Sequence, residues 1–143
     1  MNLVRSVSVL LFAATVGGWL VGARASPPSP QASSICEIAK AGRSWAGKSV
    51  RVRAQRVVNA NGGKLRDDRC PEVLVELQDD EHVEVDDLYR RFQQSFDRQL
   101  LSVGVARERV ELLGTVAYVG RGQASPQGSA LKLKRVISFD PEW

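Results

Sequence analysis

Ser49-Val50-Arg51-Val52-Arg53-Ala54-Gln55-Arg56-Val57-Val58 is the stretch from which the fold is read. Val50, Val52 and Ala54 alternate with Arg51, Arg53 and Gln55, which marks a strand with one buried and one solvated face. At Arg56-Val57-Val58 the alternation slips by one residue, and the slip predicts a bulge or strong coil. Asn59-Ala60-Asn61-Gly62-Gly63 follows as a turn, because Asn and Gly tolerate positive φ.

Downstream, a brief second strand is expected over residues 64–66, and Asp67-Asp68-Arg69-Cys70-Pro71 makes a corner. Val73, Val75 and Leu77 alternate with Leu74, Glu76 and Gln78 as a third strand. The period then becomes helical: Val85, Leu88, Tyr89, Phe92, Phe96, Leu100 and Val103 share one face of a helix over 86–101. Asp86 and Asp87 stand where carboxylates favour a helix start, and Gly104 is placed to end it. Residues 107–119 read as a long strand, with Val110, Leu112, Gly114, Val116 and Tyr118 on one side. Residues 120–129 are a connection. Leu131, Leu133, Val136 and Ile137 then form the last strand, with Lys132 and Lys134 outward. Upstream, Ser33 or Ser34 can cap a short helix over 35–41, and Gly42 and Gly47 bracket a turn presenting Trp45. The order is three strands, a helix and two strands. It predicts a mainly β (β+α) domain, an OB-fold-like five-stranded barrel with a short N-terminal helix. A split α+β sandwich is the alternative arrangement of the same elements.

The N-terminus has a different character. Arg5 precedes an uncharged apolar run over 7–21, and Ala23 and Ala25 set a small-x-small site before Ser26. This is the pattern of a cleaved secretory signal, residues 1–25. A retained anchor is the competing reading, but the run is short of the roughly 20 residues a spanning helix needs. Residues 26–34 (SPPSPQASS) read as a Pro/Ser-rich tether, which leaves 35–143 as one domain. Export places the chain in a bacterial periplasm or outside the cell. There Cys36 and Cys70, the only two cysteines, are expected to form a disulfide. A redox or metal pair is the alternative, but C-x-x-C spacing is missing.

Taken in order, Ile35-Cys36-Glu37-Ile38, Gly47-Lys48-Ser49-Val50-Arg51-Val52-Arg53, Leu65-Arg66-Asp67-Asp68-Arg69-Cys70-Pro71 and Leu112-Leu113-Gly114-Thr115-Val116 make the chain resemble a known group. It is similar to small uncharacterised exported bacterial proteins with OB-fold-like domains. More distantly it resembles bacterial periplasmic OB-fold proteins linked to envelope stress. The resemblance implies fold and compartment and a non-enzymatic role, without implying a ligand.

Charge excludes little on its own. The whole chain carries a formal +4, but residues 1–25 hold Arg5 and Arg24 and no acid, so a mature chain is nearly balanced. That balance, with export, disfavours nucleic acid as partner, although Arg51, Arg53, Lys132 and Lys134 project outward. His82 is the single histidine, in the acidic connector 79–87, and no G-x-S-x-G elbow accompanies it. No catalytic set and no cofactor motif is therefore read. The connector offers Asp79, Asp80, His82, Glu84 and Asp86 as metal ligands, but it lacks the Gly that turns a calcium loop. Asn59, Asn61, Gly62, Arg121 and Gln123 are the candidate ligand residues, on loops flanking one barrel mouth. The leading expectation is a non-catalytic exported binding or accessory protein of the bacterial envelope, its partner a protein or a cell-envelope polymer. A ligand- or metal-sensing domain using the connector and a weak nucleic-acid-binding OB domain are the alternatives.

Overall fold

The computed structural model describes residues 29–59, 62–103, 106–120 and 126–140. The described chain enters through β1 (Gln31–Ser33) and turns at Ser34 into α1 (Ile35–Ala41). Ser34 is a full capping box: its Oγ accepts from the Glu37 N–H, and the Glu37 carboxylate accepts from the Ser34 N–H. A 3-10 turn at Gly42–Trp45 leads to β2 (Ser49–Asn59), β3 (Gly62–Arg66) and β4 (Val75–Asp79). Next come α2 (Asp87–Val103), β5 (Ala106–Tyr118) and β6 (Ser129–Asp140). Sheet order is β1-β2-β3-β4-β6-β5, and a β2–β5 pairing closes it. β2 to β6 thus form a closed five-stranded barrel of OB-fold-like order, including the parallel β4–β6 pair.

Inward residues of every barrel strand meet in one core. Val50, Val52, Leu65, Val75, Leu112, Leu131 and Leu133 are fully buried, with Ile35 and Ile38 of α1 packed against them. Each such side chain contributes roughly 1.5–3 kcal/mol of transfer free energy. Phe92 of α2 plugs one end of the barrel, edge-on to Phe139 with centroids 5.7 Å apart. Cys36 of α1 is bonded to Cys70, their Cα atoms 5.9 Å apart, so the helix is tied to the β3–β4 connection.

Several local expectations are corrected. The tether expected over 26–34 ends in structure, since Gln31, Ala32 and Ser33 pair in parallel with Val50, Arg51 and Val52. The reason lies in β2: β3 pairs with it only from Gln55 onward, and its earlier edge carries backbone groups that β1 satisfies. No slip occurs at Arg56. β2 and β5 pair in unbroken register from Ser49 to Val58, and Arg56 simply occupies an inward position between Ala54 and Val58. The register shifts lie between β5 and β6, where Lys134 and Ile137 are the extra residues on β6. The third strand starts at Val75, two residues after Val73. Val85 precedes α2 and is exposed, so it does not belong to the helix's buried face.

Candidate functional site

Outward residues of β2 are Arg51, Arg53 and Gln55, and those of β5 include Arg109 and Glu111. Register turns these into rows across the barrel wall. Gln55 faces Arg66 on β3 and Arg109 on β5, and Arg109 faces Asp140 on β6. One row along, Arg53 faces Glu111, which faces Ser138. With residues 66–69 raised at one side, the rows floor an open groove of about 620 Å³. A neighbouring depression of about 530 Å³, between β1, Ser34 and Glu37, shares Arg53, Arg69 and Glu111 with it.

Arginine and carboxylate are interleaved here. Glu111 Oε1 takes the Arg51 Nε at 2.7 Å and the Arg53 Nε at 3.2 Å. Hydrogen bonding to Arg51 foremost, then Arg53, holds the Glu111 carboxyl below its ordinary value. Arg69 binds Asp67 through Nη2 at 2.6 Å and Nε at 3.0 Å, and this lowers Asp67 and raises Arg69. Arg69 is thus held by two contacts and Arg51 and Arg53 by one each, with donors and acceptors side by side, a geometry suited to directional polar recognition.

The residues singled out from sequence fall in other places. Cys36 and Cys70 form the disulfide. Asn59 pairs with Gly62 at the base of the β2–β3 hairpin. Asn61, Arg121 and Gln123, with Ala23, Ala25 and Ser26 of the expected cleavage site, lie outside the described residues. At the end of the 120–128 connection, Gln127 Oε1 accepts from the Leu74 N–H at 3.3 Å. The acidic connector is engaged in local structure. Asp80 accepts from the His82 N–H at 2.9 Å, Asp86 caps α2 through the Tyr89 N–H at 2.7 Å, and Asp79 accepts from the Tyr89 hydroxyl at 3.0 Å. His82 is 83% exposed, with Asp80 and Glu81 at 3.6 and 3.8 Å. Among the described residues no three His, Cys, Asp or Glu side chains gather as a metal site. Nor does any helix among them have the length and apolarity to cross a membrane.

Sequence reasoning found Arg51 and Arg53 but not the groove. The outward set of β5, Arg107, Arg109 and Glu111, is just as legible by alternation. What joins the two sets is the β2–β5 register, which is a long-range fact. Comparison with protein-family models, curated proteins and solved structures finds no match for the chain.

Proposed function

We propose that this chain is an exported, non-catalytic binding protein of the bacterial cell envelope, and that its outer groove is the binding surface. The observation that supports this reading most is the interleaving of guanidinium and carboxylate groups along that groove, Glu111 of β5 between Arg51 and Arg53 of β2 and Asp67 against Arg69. Donors next to acceptors suit an extended polymer segment that itself offers both, such as a polypeptide or a wall polymer. A polyanion fits less well, since it would have to displace Glu111 from Arg51 and Arg53 and Asp67 from Arg69. The leader pattern over residues 1–25 and the disulfide support an oxidising destination.

The test expresses the chain with its own N-terminal segment and recovers it from the periplasm, where N-terminal sequencing should begin at Ser26. Co-sedimentation with purified cell-wall sacculi and cross-linking to periplasmic proteins then compare the native chain with Arg53→Ala/Arg109→Ala and Asn61→Ala/Arg121→Ala. Retention lost in the first variant and kept in the second is expected. Retention that ignores the groove variant overturns the groove, and a saturable hydrolytic activity that vanishes in His82→Ala overturns the non-catalytic role.

A further inference from the structure

Where α2 lies against β6 there is a second groove, of about 630 Å³, which shares Ser138 and Phe139 with the outer groove and is otherwise lined by different side chains. Leu88, Ile137 and Phe139 supply its apolar part, and Arg91, Ser95 and Arg98 reach it from α2. Positions 91, 95 and 98 fall on one stripe of a helix, and Arg91 and Arg98 are separated by about 10.5 Å along its axis.

These two arginines differ from the other cations around them. Arg90 pairs with Asp87 at 2.6 Å, and Arg135 with Glu84 at 3.3 Å. Arg91 and Arg98 are exposed and have no ion-pair or hydrogen-bond partner among the described residues. The buried Ser95 hydroxyl between them donates to Glu108, so it does not compete for what the arginines hold. Two uncompensated guanidiniums beside an apolar floor is the reverse of the outer groove, where nearby carboxylates balance the arginines.

We propose that this groove binds a single amphiphilic anion: a hydrocarbon body against Leu88, Ile137 and Phe139, with its carboxylate or phosphate between Arg91 and Arg98. The planar guanidinium fork matches either oxyanion, and apolar burial adds affinity that a bare anion cannot gain. The groove volume lies in the range of small-molecule sites, which suits one monomer.

Isothermal titration of the full chain with monomeric dodecyl phosphate and with laurate tests this, beside inorganic phosphate and anionic phospholipid vesicles. Saturable binding of either amphiphile, far tighter than that of inorganic phosphate, is expected, and whichever binds tighter identifies the head group. Arg91→Gln/Arg98→Gln should weaken it by about tenfold or more, as loss of charge-assisted contacts implies. Lys132→Gln/Lys134→Gln removes the same charge from another face and should leave affinity within about twofold. Binding that ignores Arg91 and Arg98, binding of inorganic phosphate as tight as that of the amphiphiles, or binding to vesicles alone would each overturn the proposal.

Discussion

Arg56 on β2 and Glu108 on β5 stand directly opposite each other in register, both turned into the barrel and both buried. Arg56 donates to Glu108 Oε2 from Nε at 2.9 Å and from Nη2 at 2.5 Å, and from Nη2 to the Phe92 carbonyl at 3.1 Å. Its guanidinium lies 3.5 Å from the centroid of the Phe92 ring. The Ser95 hydroxyl donates to the other Glu108 oxygen. Burial lowers the Arg56 guanidinium from its usual value, and the Glu108 charge and hydrogen bonds oppose that. Because Phe92 and Ser95 belong to α2, the pair also fixes where the helix sits on the barrel.

A buried pair of this kind is costly to break and cheap to replace whole. Glu108→Gln or Arg56→Met should each destabilise the fold by about 3–5 kcal/mol, because either leaves an uncompensated group in the core. Arg56→Met/Glu108→Leu should recover most of that loss. Urea unfolding of the three variants checks this, and additive losses in the double variant would show that the two residues act independently.

The same pair marks the limit of what was legible in the sequence. Strand periodicity, the capped N-terminal helix, the helix between the third and fourth barrel strands and the disulfide were all readable, because each depends on local pattern or compartment. Arg56 broke the apolar pattern and so looked like a slip in phase. Only the long-range pairing with β5 shows that an inward arginine has an inward glutamate to meet. The bulges went to β6 for a similar reason: the spacing from Leu133 to Val136 was visible, but its meaning depends on the partner strand. The outer groove is likewise the product of register, with its halves more than 50 residues apart in the chain, as Arg53 and Glu111 show.

Gly114 should tolerate no side chain. A Cβ there would lie 2.6 Å from the Lys132 carbonyl oxygen and 2.9 Å from Leu131, next to the β5–β6 register shift. The obstacle is backbone, which cannot rotate away. Gly114→Ala should therefore cost about 1–3 kcal/mol, the range of overpacking, and lower the urea midpoint without changing the slope.

Reduction should loosen the N-terminal elements first. The disulfide spans 34 residues and ties α1 to the β3–β4 connection. Cys36→Ala/Cys70→Ala should lose about 2–4 kcal/mol, and Ser34→Ala, which removes the cap of the same helix, about 1 kcal/mol. Hydrogen exchange is the check: the amides of α1 and β1 should gain more exchange than those of β5, whose pairing with β2 and β6 is untouched.

Acid should destabilise the protein through four carboxylates, one of them Asp80, which the His82 backbone N–H holds below its ordinary value. The Ser34 backbone N–H, then its hydroxyl, lowers Glu37; Arg51 foremost lowers Glu111; Arg69 lowers Asp67. In each case the folded value is depressed below the unfolded one, so the stabilisation is fully present above the ordinary carboxylate range. It is lost as pH falls through that range and through the lower folded values. Melting temperature should be flat from about pH 6 to 5 and fall below about pH 4, where unfolded carboxylates take up protons first. Glu37→Gln and Glu111→Gln should each flatten that fall. Salt separates their causes. The Glu111 contribution comes from two exposed arginines and should shrink at about 1 M salt, where charges are screened within about 3 Å. The Glu37 contribution comes from hydrogen bonds with Ser34 and should persist, so a Glu37→Gln effect that disappears with salt would refute the capping-box origin.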